Sequence, residues 1–187
     1  LAYYGGSAKR AEEILDTAWE ALEELRTDAG LSLDQTVTIY AYANAADMRP
    51  LLFSRGSVYD ERTLTLGVAA GEDVLLLLGS HEDALKTVAH ELSHIVVGLA
   101  TDNPYVDLPR WLDEGLAMYA EGELPSNNAR ALERGIREDK LISVHSLSGY
   151  VGDPSQVDLF YGQAYSLIDF MIETYGRSAM SELLNTI

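Results

Sequence analysis

The sequence predicts an α+β fold, in which a small N-terminal sheet with its helices is followed by a helical C-terminal lobe. Two observations lead to this prediction: strand-like segments occur only before Gly79, and helical periodicity dominates afterwards. The order of helix, small sheet and further helices is typical of this class. We expect one domain over residues 1–187, with a sheet-containing lobe of about residues 1–102 and a helical lobe of about residues 103–187. Both ends of the sequence read as cut, which indicates a fragment of a longer protein.

The N-terminal region opens with an amphipathic pattern that predicts a helix from Ser7 to about Asp28. Its apolar residues recur at helical spacing between charged ones, and Gly30 ends the pattern. The segment Thr36–Tyr42 is rich in β-branched and aromatic residues, which favours a strand. A short helix is expected over Ala45–Phe53.

Two further strand candidates, Thr63–Ala69 and Asp73–Leu78, precede the most apolar of the helical patterns. The short connection between them predicts a hairpin. A capping box formed by Ser80 and Asp83 is expected to start the helix that follows. The apolar stripe of that helix runs from Leu85 to about Ala100.

The remainder of the chain is predicted to be helical. A loop containing Asp102-Asn103-Pro104 leads to a second helix, which starts near Asp107 and stops at Gly122. Further helices are expected at three places: Asn127–Asp139, Val157–Tyr175 and Ser178–Asn185.

Charge and composition exclude several classes of function. Thirteen basic residues against thirty acidic ones give a formal net charge of −17. A field of this sign repels nucleic acid and anionic membrane surfaces, so neither is an expected partner. The absence of cysteine excludes disulfides and cysteine-ligated metal sites. No apolar run reaches the ~18–20 residues of a membrane span, so we expect none within this sequence.

The segment from His90 to His94, His-Glu-Leu-Ser-His, has the form H-E-x-x-H and falls inside a predicted helix. Histidines four residues apart lie on one helix face, about 6 Å apart along the axis, so both imidazoles can reach one ion. Glu91 lies about 100° around the helix from His90, where it is better placed to meet a bound water than to ligate. The alternative interpretation is two surface histidines with a solvated glutamate between them.

A site with two histidines needs a third protein ligand, and Glu114 is the candidate. It follows His94 by twenty residues, across a loop long enough for the second helix to fold back beside the first. The adjacent Asp113 would point about 100° away from Glu114. Two imidazoles and a carboxylate suit zinc and would also bind Co²⁺ or Mn²⁺. The segment can equally be an amphipathic helix with Trp111 and Leu112 in the core, and both interpretations can hold together.

The two motifs together resemble a known family. His90–His94, followed by Trp-Leu-Asp-Glu-Gly-Leu-Ala-Met-Tyr over residues 111–119, is similar to the gluzincin zinc metallopeptidases. The match is best with the peptidase-MA-like subgroup, whose pattern is H-E-x-x-H and then W-x-x-E-G-x-A-x-Y. The resemblance implies a zincin-like active-site helix and one Zn²⁺ held by His90, His94 and Glu114, with Glu91 as the general base. It also implies an extracellular or membrane-anchored setting in a bacterium or archaeon.

Peptide hydrolysis produces an oxyanion that needs a donor besides the metal. Tyr161 is the candidate, because Tyr161-Gly162-Gln163-Ala164 is similar in placement to the Y-x-K-G segment of related aminopeptidases. It departs from that segment by Gln for Lys and Ala for Gly. A packing role for Tyr161 is the alternative, and Tyr165, one turn further on, is the second candidate donor.

Other chemistry-bearing side chains are expected to have structural roles. His81 and His145 are expected at the surface, and a position lining the cleft is the alternative for His145. Arg110 is expected to pair with Asp113 rather than with a substrate carboxylate, and Tyr119 is expected to pack between helices.

The predicted function is zinc-dependent hydrolysis of a peptide bond in a peptide or protein substrate. The segment Gly67–Ala70 resembles the edge strand to which gluzincins add an extended substrate. The sequence lacks the G-x-M-E-N motif of related aminopeptidases, which favours an endopeptidase. The alternative is a metal-containing peptide-binding or structural domain that does not cleave. Hydrolysis of a non-peptide amide would use the same site.

Overall fold

A computed structural model of the chain describes residues 1–53, 66–70, 73–101, 108–149 and 151–186. The fold class is the predicted one: a four-stranded sheet lies in the N-terminal part, and the C-terminal part is helical. The chain divides into two compact units, residues 1–23 with 32–99, and residues 24–31 with 100–187. Within the described ranges, no helix combines the length and the apolar character needed to cross a membrane.

The helices and strands follow one another along the chain in this order: β1 (Ala2–Tyr4), α1 (Ala8–Glu24), β2 (Thr38–Tyr42), α2 (Ala45–Phe53), β3 (Gly67–Ala69), β4 (Val74–Leu77), α3 (Ala84–Thr101), α4 (Arg110–Ala120), α5 (Ser126–Arg137), α6 (Val144–Leu147) and α7 (Val157–Thr186). A π-helical turn, Leu25–Ala29, continues α1, and a 3₁₀ turn, Pro154–Gln156, precedes α7. Helix α7 is kinked at Gly176, whose φ is 74°.

Most predicted elements are present with bounds that differ by a few residues. The kink at Gly176 separates the two helices predicted at the end of the chain, and α2 has the predicted bounds. Strand β1 and helix α6 were not predicted, because three and four residues are too few for a periodic pattern. Residues 63–65 of the predicted strand, the predicted loop at 102–104 and the predicted helix start at Asp107 lie outside the described residues.

The sheet of the first unit is mixed, with strand order β1-β2-β4-β3. Strands β1, β2 and β4 are parallel, whereas β3 pairs antiparallel with β4. This pairing confirms the predicted hairpin, although two residues of its turn, Gly71 and Glu72, are outside the described part of the chain. Because β3 is at an edge of the sheet, one side of its backbone faces away from β4.

Alternating residues of β4 face two apolar clusters on opposite sides of the sheet. Leu75 and Leu77 belong to the cluster formed with α1 and α3, and Leu76 belongs to the cluster formed with α2. Helix α3 contributes four residues to the first cluster: Ala84, Val88, Leu92 and Ile95. Their spacing is that of one helix face, so packing against the sheet sets the rotation of α3 about its axis.

The start of α3 is held by side chains from two segments. Arg10 of α1 donates from Nε to the Gly79 carbonyl at 3.0 Å and from Nη2 to the His81 carbonyl at 2.9 Å. The expected capping box of Ser80 and Asp83 is wrong, because the Asp83 N–H donates to His81 Nδ1 at 3.2 Å and α3 begins at Ala84. Arg10 therefore ties the loop that leads into α3 to the first helix.

Glycines allow close helix packing in the second unit. A Cβ placed on Gly115 of α4 would lie 2.7 Å from the Ala164 carbonyl oxygen and from Ile168 Cγ1 of α7. A Cβ on Gly162 of α7 would lie 2.7 Å from the Asn128 carbonyl oxygen of α5. Side chains are not accommodated at such separations, so α7 packs directly against both α4 and α5.

Gln163 connects α7 to the segment between α5 and α6. Its Oε1 accepts the Ile142 N–H at 2.8 Å, and its Nε2 donates to the Ile142 carbonyl at 3.0 Å. The side chain is only 8% exposed, so both bonds are largely shielded from water. The side-chain amide of Gln163 thus pairs with both backbone groups of Ile142 and holds this segment against α7.

Gln163→Ala should lower the free energy of unfolding by about 1–3 kcal/mol, because both backbone groups of Ile142 lose their partner. Chemical denaturation of the two proteins measures the difference. An unchanged free energy of unfolding would contradict a stabilising role for these two hydrogen bonds.

Gln163→Glu tests the donor separately, because it keeps the acceptor for the Ile142 N–H but sets a carboxylate oxygen against the Ile142 carbonyl. The pKa of the introduced carboxyl should be raised above its usual value of about 4.3, since only its protonated form can donate. A raised folded-state pKa stabilises the protein below the unfolded-state pKa, and this stabilisation is lost as the pH rises. The deficit relative to wild type should therefore shrink below about pH 5.

Ser93 of α3 is fully buried, and its hydroxyl has no hydrogen-bond partner among the described residues. Ser93→Ala should therefore raise the free energy of unfolding of the metal-free protein by about 1–2 kcal/mol, because a desolvated hydroxyl is removed. Denaturant titration measures the change. The exposed Ser148, whose hydroxyl donates to the Val144 carbonyl, provides the control, because Ser148→Ala should bring no gain. Destabilisation by Ser93→Ala would show that its hydroxyl is paired.

Candidate metal centre

His90 and His94 lie one turn apart on α3, on the side away from the apolar stripe that packs against the sheet. Both are partly exposed, and their ring centroids are 4.9 Å apart with the planes at 79°. The predicted helical context of the H-E-x-x-H segment is therefore confirmed. Their spacing places both imidazoles on one face of the helix, and burial of the opposite face sets the direction of that face.

Glu114 projects from α4, the helix that Gly115 allows to pack closely on α7. It is 5% exposed, and its Oε1 accepts a hydrogen bond from Arg110 Nη2, one helical turn earlier. Arg110 Nη1 is also 3.9 Å from Asp113 Oδ2. The expected pair of Arg110 with Asp113 is thus present, but the closer partner of the guanidinium is Glu114.

His90, His94 and Glu114 could hold one metal ion. One ligand atom from each residue can be chosen so that all three lie within 4.8 Å of one another. Two imidazole nitrogens and one carboxylate oxygen form the donor set of zinc sites that leave a further position for water. The chemistry of these donors fits the ion that the resemblance implies.

Glu91 lies beside this cluster but is directed toward the edge strand. Its Oε2 accepts a hydrogen bond from the Ala69 N–H at 2.9 Å. Helix α3 approaches β3 closely here, since a Cβ on Gly67 would lie 2.5 Å from Thr87 Cγ2 and 3.1 Å from Glu91 Cγ. The backbone of β3 therefore holds one oxygen of this carboxylate.

The two candidate oxyanion donors, Tyr161 and Tyr165, lie one turn apart on α7 and are partly buried. The ring of Tyr161 makes an edge contact with Phe160, at 5.4 Å between centroids. Burial raises the pKa of Tyr165, and Asp169 contributes in the same direction. The role of each as a hydrogen-bond donor to the reaction stays a prediction.

Tyr119 has the packing role that was expected. Its hydroxyl donates to Asp28 Oδ2 at 3.1 Å, and its ring lies 6.1 Å from that of Tyr165. Burial and then the hydrogen bond to Asp28 raise the pKa of the phenol. Tyr119 therefore stays protonated near neutral pH and ties α4 to the π-helical turn.

The two remaining histidines, His81 and His145, are not among these candidate ligands. His81 is partly exposed, with its Nδ1 accepting from the Asp83 N–H, and His145 is exposed in the short helix α6. The expected surface position is confirmed for His145, whereas His81 also has a structural role at the start of α3.

Two contacts at the site were missed from the sequence. An arginine four residues before Glu114 on one helix could have indicated the Arg110–Glu114 pair. The bond from Ala69 to Glu91 joins residues 22 apart in sequence through a backbone amide, and no residue pattern signals such a bond.

Comparison with known proteins supplies the family. No curated protein and no solved structure matches the chain. The family model of the Peptidase MA superfamily, in contrast, matches residues 17–187, which is nearly the whole chain and includes every residue of the candidate metal centre. The chain therefore belongs to the peptidase MA superfamily.

Proposed function

We propose that this protein is a zinc metallopeptidase that hydrolyses internal bonds of peptide or protein substrates. The observation that carries the proposal is the cluster of His90, His94 and Glu114 in a chain that belongs to the peptidase MA superfamily. The adjacent carboxylate of Glu91 adds the proton acceptor that hydrolysis requires.

His90, His94 and Glu114 would hold the ion. When bound, zinc lowers the pKa of the attacking water toward about 7 and polarises the scissile carbonyl. Arg110 orients Glu114 through its bond to Oε1, and the burial of Glu114 limits the conformations of the ligand.

Glu91 moves the proton in this proposal. It accepts a proton from the water as the water oxygen bonds to the carbonyl carbon, and it delivers the proton to the leaving nitrogen as the C–N bond breaks. Because Oε2 of Glu91 accepts from the Ala69 N–H, we assign the proton transfer to Oε1. The negative oxygen that forms on the carbonyl carbon would receive a hydrogen bond from Tyr161, or from Tyr165 in its place.

The outer edge of β3 is the proposed binding site for the substrate backbone. Strand β3 is at the edge of the sheet, so backbone groups on its outer side, other than the Ala69 N–H that donates to Glu91, can pair with an extended peptide. The same strand contacts Glu91, which would bring a bound peptide next to the proton acceptor. The net charge of −17 is compatible with basic or neutral peptides.

Glu91→Gln should leave about one zinc per chain bound but lower the rate of peptide hydrolysis by about 10²–10⁴-fold, because an amide cannot accept the proton. Zinc content by plasma mass spectrometry and hydrolysis of a fluorogenic peptide library measure the two properties on the same samples. His94→Ala is the control, since it should lose both zinc and activity.

Unchanged hydrolysis by Glu91→Gln would contradict the assigned mechanism. A zinc-loaded wild type that binds peptides without cleaving any of them would instead support the alternative of a metal-containing peptide-binding domain. No zinc in the wild type, even after zinc is supplied, would contradict the metal site.

Glu114→Gln and Asp113→Asn form a matched pair, because they neutralise neighbouring carboxylates on α4. Loss of a ligand at Glu114 should weaken zinc binding by more than the ~10–100-fold typical of a residue that only supports a ligand. Asp113→Asn, which removes a charge 3.9 Å from Arg110, should weaken it by about tenfold at most. Competition with a fluorescent zinc chelator measures both affinities. Equal losses would show that charge, rather than coordination by Glu114, determines the affinity.

A further inference from the structure

The backbone of β3 has an alternating pattern of hydrogen bonds. The Ala70 N–H donates to the Val74 carbonyl at 2.7 Å, and the Leu66 carbonyl accepts from the Leu78 N–H at 2.7 Å, so both residues face β4. In an antiparallel pair, alternate residues of a strand bond to the partner strand. Gly67 and Ala69 therefore direct their N–H and C=O groups away from β4. The N–H of Ala69 therefore points outward, and its acceptor is Glu91 Oε2 on α3.

The geometry points to the Ala69 backbone amide as a positioning group for the carboxylate of Glu91, with Gly67 providing the space that this contact requires. The inference rests on the proposed function only in treating Glu91 as the proton acceptor. The hydrogen bond fixes one oxygen of the carboxylate, which leaves a defined direction for the other. Ala69 is thus a positioning residue, which acts on the reaction through Glu91.

Gly67 determines how closely α3 can approach. A Cβ at this position would lie 2.5 Å from Thr87 Cγ2, which is too close for two carbon atoms that are not bonded to each other. It would also lie 3.1 Å from Glu91 Cγ, on the next turn of the same helix face. A side chain at residue 67 would therefore displace the Thr87 side chain or α3 itself, at the point where the Ala69 N–H reaches Glu91.

The contact matters because a proton acceptor must be held in a narrow range of positions. A misplacement of about 1 Å can lower a rate by about 100-fold. A free glutamate side chain has several rotatable bonds, and a backbone amide on a hydrogen-bonded strand is a rigid donor against which to fix it. The metal ligands do not perform this role, since they hold the ion rather than the carboxylate of Glu91.

The first experiment measures the hydrogen bond without any turnover. Hydrogen exchange at the Ala69 amide, followed by NMR in the metal-free protein, should be at least about tenfold faster in Glu91→Ala than in wild type. Glu91→Gln keeps an acceptor oxygen and should give intermediate protection. The Ala70 amide of the same strand is the internal control, because its bond to the Val74 carbonyl should be unaffected. Equal exchange at Ala69 in wild type and Glu91→Ala would overturn the inference.

The second experiment separates positioning from folding. Gly67→Ala should lower kcat of the zinc-loaded protein by about 10–100-fold and weaken Ala69 protection, with the zinc content unchanged. Adding Thr87→Ser removes the Cγ2 methyl that is contacted at 2.5 Å and keeps the hydroxyl that donates to the Asp83 carbonyl. The double variant should recover most of the lost kcat and most of the lost protection of the Ala69 amide.

Full kcat in Gly67→Ala with Ala69 protection lost would overturn the inference, since the contact would then be irrelevant to the reaction. Recovery of thermal stability in the double variant without recovery of kcat would also overturn it. If the zinc-loaded wild type cleaves nothing, the proposed function fails, whereas the exchange measurement still decides whether Ala69 holds Glu91.

Discussion

The first unit depends on the burial of one face of α3 against the sheet. Val88, Leu92 and Ile95 pack against β4 in a single cluster, and burying each of these side chains contributes about 1.5–3 kcal/mol. This is more than the ~0.5–1.5 kcal/mol of a typical hydrogen bond, so apolar packing rather than the polar contacts sets the rotation of the helix. The directions of His90 and His94 follow from that rotation, because they occupy the opposite side of α3.

Two glycines, which have no side chain, allow the close packing around Glu91 and Glu114. At Gly67 the absence of a Cβ allows α3 to approach β3, and at Gly115 it allows α4 to approach α7. In each unit the glycine lies next to a residue of the proposed chemistry: Gly67 contacts the segment of Glu91, and Gly115 follows Glu114. Close packing at these two points restricts the segments that carry Glu91 and Glu114, without any bond made by the glycines themselves.

The sequence predicts a candidate set of ligands, but it does not predict the surroundings of those residues. Spacing along a helix is sufficient to place His90 and His94 on one face, since that relation is local. The parallel pairing of β1, β2 and β4 and the bond from Ala69 to Glu91 were not predicted, because they join segments distant in sequence and use backbone groups common to all residues. The predicted capping box at the start of α3 was wrong for a related reason. The Asp83 N–H, which Ser80 was expected to bind, donates to the side chain of His81 instead.

Arg110 offsets the cost of burying the carboxylate of Glu114. A carboxylate that is 5% exposed is costly to bury as a charge, by several kcal/mol unless it is paired. In a chain with a net charge of −17, neighbouring acids would add to that cost. The guanidinium of Arg110, one turn before Glu114 on the same helix, offsets it with a hydrogen bond to Oε1. Because this compensation comes from within α4, burial of Glu114 does not depend on a metal ion alone, and its carboxylate is oriented by the helix that presents it.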